Sequence, residues 1–146
     1  MDVRDAMIQR LFDRMMRMRG ALERFDDASA ERVRVGPRWN VRDLAGHFVF
    51  WDDEAVRQML EMLRGRPRPT YDFDKVNDAV YHRYRRMSFV MLLPQLRAAE
   101  ERLVHAVRGV DSALLVDSPV RDWIDAAGAD HYDDHWPSLK KAVDAI

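Results

Sequence analysis

The chain has 146 residues, 24 Lys and Arg against 25 Asp and Glu, 47% hydrophobic residues and no cysteine. That length suits one domain spanning 1–146 with a single core, and the composition is that of a folded soluble chain. A formal net charge of −1 argues against a general nucleic-acid binder, no apolar run reaches the length of a membrane span, and the missing thiols exclude disulfides, cysteine nucleophiles and thiolate metal ligands.

The opening MDVRDAMIQRLFDR carries charges every few residues and no apolar signal core, so a cytoplasmic protein is expected. Over residues 2–25 Met7, Leu11, Met15, Met18, Leu22 and Phe25 recur at spacings of three and four, which predicts an amphipathic helix with methionine as core filler. DDASAERVRVGPRWN breaks the period, and Gly36-Pro37 signals a turn. Asn40 then caps a second helix reaching about Leu63, with Asp43 in its first turn and a stripe through Leu44, Phe48, Trp51, Ala55, Met59 and Met62.

RGRPRPTYDF, residues 64–73, is a connector long enough to let the flanking helices run parallel. Its arginines, like those of RYRR, read as solvated. The block from about Asp74 to Arg108 is too long for one ordinary helix, and Ser88 and Pro94 mark where it bends or restarts. After GVDSALLVDS, Ser118 and Pro119 open a last helix that carries Trp123, Ile124, Ala127, His131 and His135. No segment alternates like a half-buried strand. The predicted fold is an all-α four-helix bundle with the third helix kinked or broken.

His131 and His135 stand one helical turn apart, a spacing that points two imidazoles at one spot. His47 lies three residues after Leu44 and four before Trp51, on the core side of the second helix. Spacing supports two arrangements. In one, the three imidazoles share a divalent ion that keeps an open position. In the other, His47 is a core histidine satisfied by a carboxylate while His131 and His135 face water. His82 and His105 sit in polar surroundings and read as surface residues. No phosphate-binding glycine loop and no H-E-x-x-H is present.

WNVRDLAGHFVFWDDEAV, residues 39–56, resembles the second-helix signature of the DinB/YfiT-like superfamily, with a Trp before a capped helix and a His in its second turn. DWIDAAGADHYDDHWPSL, residues 122–139, is similar to its last helix. The Trp-Ile pair followed by H-Y-x-x-H, together with NDAVYHRYRRMSFVMLLPQLRAAEERLV at 77–104, most resembles the ClbS/DfsB branch.

The resemblance implies an up-down-down-up bundle with a metal triad at His47, His131 and His135, holding zinc or nickel. It also implies chemistry on a small electrophilic molecule. Known activities in similar proteins are transfer of an external low-molecular-weight thiol, such as bacillithiol or mycothiol, thiol-dependent isomerisation, and hydrolytic opening of an electrophile for detoxification or self-protection.

The alternative is a non-enzymatic small-molecule-binding bundle with a vestigial or structural metal site. Asp43 and Asp134 are candidates to orient a ligand, and Asn77 and Tyr81 to line a pocket. A small molecule is the expected partner, and a homodimer through a helix face is compatible with the fold. Pro137 departs from the pattern, because it removes the amide that would bond to Asp133 and threatens the placement of His135.

Overall fold

The computed structural model describes residues 1–146. Its helices are α1 (Val3–Leu22), α2 (Asp27–Arg32), α3 (Val41–Leu63), α4 (Phe73–Tyr84), α5 (Phe89–Arg108), α6 (Pro119–Ala127) and α7 (Ala129–Asp144), with a 3-10 turn at Ser112–Leu115. No helix is long and apolar enough to cross a membrane.

The central helix is α3, which packs against α4, α5 and α6, while α1 packs against α5 and α7. Leu44, Phe48, Ala55 and Met59 on α3 are at most 1% exposed and meet Met18 and Leu22 of α1 and Leu92 and Leu103 of α5 in one core. Asn40 and Asp43 form a reciprocal capping box that starts α3. Ser88 caps α5, so the expected break in the third block falls there. Pro94 sits inside α5 without ending it.

Two boundaries differ from the sequence reading. The segment after α1 is not all turn: Asp26 and Ser29 make a capping box that supports the short α2. The last helix is also divided, at Gly128, whose backbone (φ −103°, ψ −104°) leaves the helical region. A Cβ there would stand 2.7 Å from the Ile124 carbonyl oxygen and 3.1 Å from Leu11 Cδ1, so the break is built around a residue without a side chain.

Beyond the break α7 divides its faces. Tyr132, Leu139 and Ala142 enter the core. Asp130 and Asp133 face α1, where Arg10 reaches Asp130 at 2.6 Å and Arg14 and Arg17 reach Asp133 at 2.7 and 2.9 Å. Arg17 also lies over the Trp136 ring at 4.3 Å. The third face carries His131 and His135 toward α3.

Gly46, one residue before His47, lets α3 and α4 approach. A Cβ on it would lie 2.8 Å from Tyr84 Cβ, and Tyr84 is buried. Gly46→Ala is therefore expected to cost about 1–3 kcal/mol through overpacking, despite the better helix propensity of alanine. Urea denaturation reads this directly, and an unchanged or raised midpoint would show that Tyr84 yields freely.

Candidate metal centre

His47 comes from the second turn of α3, and His131 and His135 from the first two turns of α7. One ring nitrogen from each lies within 4.8 Å of the others. His47 Nε2 is 2.8 Å from His131 Nε2. Trp39, just ahead of the α3 cap, packs over His47 with ring centres 4.6 Å apart and stacks on His135 at 6.2 Å. Phe48 closes the inner side, 4.7 Å from the His131 ring. His47 is buried, and His131 and His135 are partly buried. The arrangement with both α7 histidines exposed to water does not occur.

Burial holds all three imidazoles in the neutral form. It pushes the His47 pKa well below the usual histidine value, helped by the charges His131 and His135 would carry. His131 falls to about 3 through burial and then through His135. His135 is also lowered by burial, with Asp134 pulling the other way. A neutral imidazole keeps a lone pair for a ligand, so this set is primed for coordination at neutral pH.

Three imidazoles without a carboxylate form a recognised donor set for a divalent ion with an open fourth position. Two neutral ring nitrogens 2.8 Å apart are otherwise compatible only with one N–H···N bond, which leaves the third ring unserved. Buried His47 Nδ1 has no hydrogen-bond partner, so no carboxylate satisfies this histidine. The residues fit a metal.

Pro137 lies inside α7, one residue beyond Trp136, and does not disperse the triad. Asp43 is not an orienting partner of His47. Its carboxylate accepts from the Asn40 amide at 3.1 Å and faces Arg42 at 3.6 Å. Asp134 is exposed and acts on His135 through its charge.

The triad opens into a cleft of about 280 Å³. Asn77 lines it, accepting from Trp51 Nε1 at 2.9 Å. Tyr81 does not line it. It borders a neighbouring depression with Arg38, Asp74 and Asp78. His82 and His105 are exposed and lie outside the cleft.

The sequence profile of the DinB superfamily matches residues 12–140. The chain belongs to the DinB superfamily. A crystal structure of an uncharacterised protein from Escherichia coli UTI89 is similar in fold, with a TM-score of 0.70 over 97% of this chain and 91% of that one, at 17% identity. No curated protein sequence matches significantly.

Within this DinB-superfamily bundle the structure adds residues that the sequence does not assign to a site, Trp51 and Trp123 reading there only as helix-stripe positions. Trp39, Trp51, Phe73 and Trp123 make the cleft walls. Arg68, read as a solvated loop arginine, lines the cleft with its guanidinium 5.7 Å from the centre of the Trp123 ring.

Behind the triad, Tyr132 places its hydroxyl 2.6 Å from Asp52 Oδ2 and 3.1 Å from Glu100 Oε2, all three buried. Asp52 falls on the apolar spacing of α3, four residues after Phe48. Glu100 likewise follows Leu96 by four residues and precedes Leu103 by three, and carboxylates on two apolar stripes are the signal from which a buried polar network could have been read.

Proposed function

We propose that this protein is a divalent-metal-dependent enzyme of the DinB superfamily that acts on a small electrophilic molecule, by transfer of an external thiol or by hydrolysis. The observation that carries the reading is the set of three neutral, mutually adjacent imidazoles at the floor of an open, aromatic-walled cleft. A structural ion would be closed over by the fold, whereas this site faces space that a small molecule can enter.

His47, His131 and His135 would hold the ion, with zinc or nickel suited to imidazole donors. Such an ion supplies Lewis acidity and a nucleophile at neutral pH. The chain's own contribution is placement. Tyr132 and the arginines of α1 fix the α7 register that carries two ligands, and Trp39 shields His47 and His135 from bulk water. The cleft lining contains no carboxylate to act as a general base, so activation of the nucleophile rests on the histidine site. With no cysteine in the chain, thiol transfer needs a free thiol cofactor. The similarity of residues 77–104 and 122–139 to the ClbS/DfsB branch supports chemistry on an electrophile.

The same aromatic lining suits a protein that only sequesters its ligand, and turnover separates the two readings. Metal-loaded protein is offered a panel of epoxide, activated-alkene and strained-ring electrophiles, with and without low-molecular-weight thiols. Consumption of at least one electrophile is expected, falling on the order of a hundredfold or more in His131→Ala and after chelation. Tight binding without turnover would favour sequestration.

A further inference from the structure

Apart from the three imidazoles, which the ion would occupy, the groups free to meet a ligand in the cleft are chiefly donors, and this limits the ligand chemistry it can accept. Trp51 Nε1 donates to Asn77 Oδ1, so the Asn77 amide nitrogen is the end left for a ligand. Trp123 Nε1 is spent on the Ala55 carbonyl at 3.0 Å. Arg68 makes no ion pair or hydrogen bond within the chain, and its guanidinium sits by the Trp123 ring at the cleft wall. No Asp or Glu lines the cleft to compete for it.

The arginine is exposed, but its backbone is restrained. It lies between Pro67 and Pro69, which restrict the backbone on both sides. Three residues on, the Tyr71 hydroxyl donates to Glu54 at 3.0 Å, and Glu54 is clamped by Arg57 at 2.7 and 2.8 Å. A guanidinium beside an aromatic ring keeps its planar fork of N–H groups available for bidentate recognition.

We infer that the cleft takes a flat, apolar monoanion whose carboxylate is bound by Arg68 and the Asn77 amide nitrogen while its body lies against Trp51 and Trp123. A single guanidinium matches a carboxylate. A phosphate dianion would leave charge unmatched, with Asp74 and Asp78 in the adjoining depression. The inference names the substrate class for the proposed enzyme and rests on that reading for turnover only, not for binding.

The test is calorimetric titration at pH 7 of 2-naphthoate, 2-naphthamide and 2-naphthyl phosphate into metal-loaded and chelated protein, with Arg68→Gln beside the wild type. Naphthoate is expected to bind at least about tenfold tighter than the amide in both forms. Arg68→Gln should lose that advantage while binding of the amide changes less than about twofold and metal content stays the same. Equal affinity for acid and amide, a preference that survives Arg68→Gln, or tighter Arg68-dependent binding of the phosphate would each overturn the inference. Wild-type protein that takes up no zinc or nickel on loading yet keeps the preference would sink the metalloenzyme reading and leave this one standing. Metal binding without the preference would do the reverse.

Discussion

Tyr132→Phe is expected to lower stability by about 2–4 kcal/mol at pH 7, although it removes a single oxygen. The Tyr132 hydroxyl is the only partner of Asp52, whose Oδ1 already has none. Without it a fully buried carboxyl group keeps no hydrogen bond at all, and an unsatisfied buried group costs far more than a typical bond contributes. One hydroxyl proton cannot serve two carboxylates, so the network favours a protonated acid. Burial pushes Asp52 well above the usual carboxyl range, with Glu100 adding to it. Burial likewise raises Glu100 to about 7, against the pull of Arg19.

Asp52→Asn, which keeps an acceptor for Tyr132 and removes the charge, should be neutral or stabilising at pH 7. In that background Tyr132→Phe should cost less. Urea denaturation of the four proteins gives the coupling directly. A Tyr132→Phe cost under about 0.5 kcal/mol would contradict the network.

In the metal-free protein, acid should remove up to about 5 kcal/mol of stability through His131 alone. Its folded pKa of about 3 lies below the unfolded value of about 6.5. Below pH 6.5 the unfolded chain takes up a proton that the folded chain refuses, so stability falls as pH drops from 6.5 toward 3. His47 and His135 are shifted in the same direction and add to the slope.

Glu100 acts oppositely. Its contribution is complete below pH 4.5 and is lost as pH rises through 7, worth roughly 3 kcal/mol. The two slopes oppose each other between pH 4.5 and 6.5. Glu100→Gln should therefore steepen the acid loss, and His131→Asn should flatten it. Chemical denaturation across pH 4–8 measures both. An acid slope unchanged by His131→Asn would mean that the imidazole takes up its proton equally in the folded and unfolded chains, and would contradict the lowered folded pKa.

The elements legible in the sequence are those encoded by local chemistry. The stripe from Met7 to Leu22, the Asn40 cap, the Ser88 restart and the Ser118-Pro119 start each rest on residues within one or two turns. The three histidines could be brought together on paper because two share a helix face and the third lies on a core stripe.

What escaped depends on contacts distant in sequence. The Gly128 break could not be read, since a lone glycine costs a helix only about 1 kcal/mol and the apolar pattern continues past it. Its geometry is set by Ile124 and by Leu11 of α1. Arg68 reaches the cleft because Tyr71 ties its loop to Glu54, a bond across 17 residues. Asp43 pointed toward His47 by spacing, but the cap of its own helix claimed the carboxylate first.

On the proposed function, His47, His131 and His135 bind one divalent ion. Elemental mass spectrometry of protein purified without an affinity tag, beside the His47→Ala/His131→Ala variant, tests it most directly. Close to one zinc or nickel per chain is expected, absent from the variant. Wild-type protein that takes up no ion even after incubation with excess zinc and nickel would contradict it.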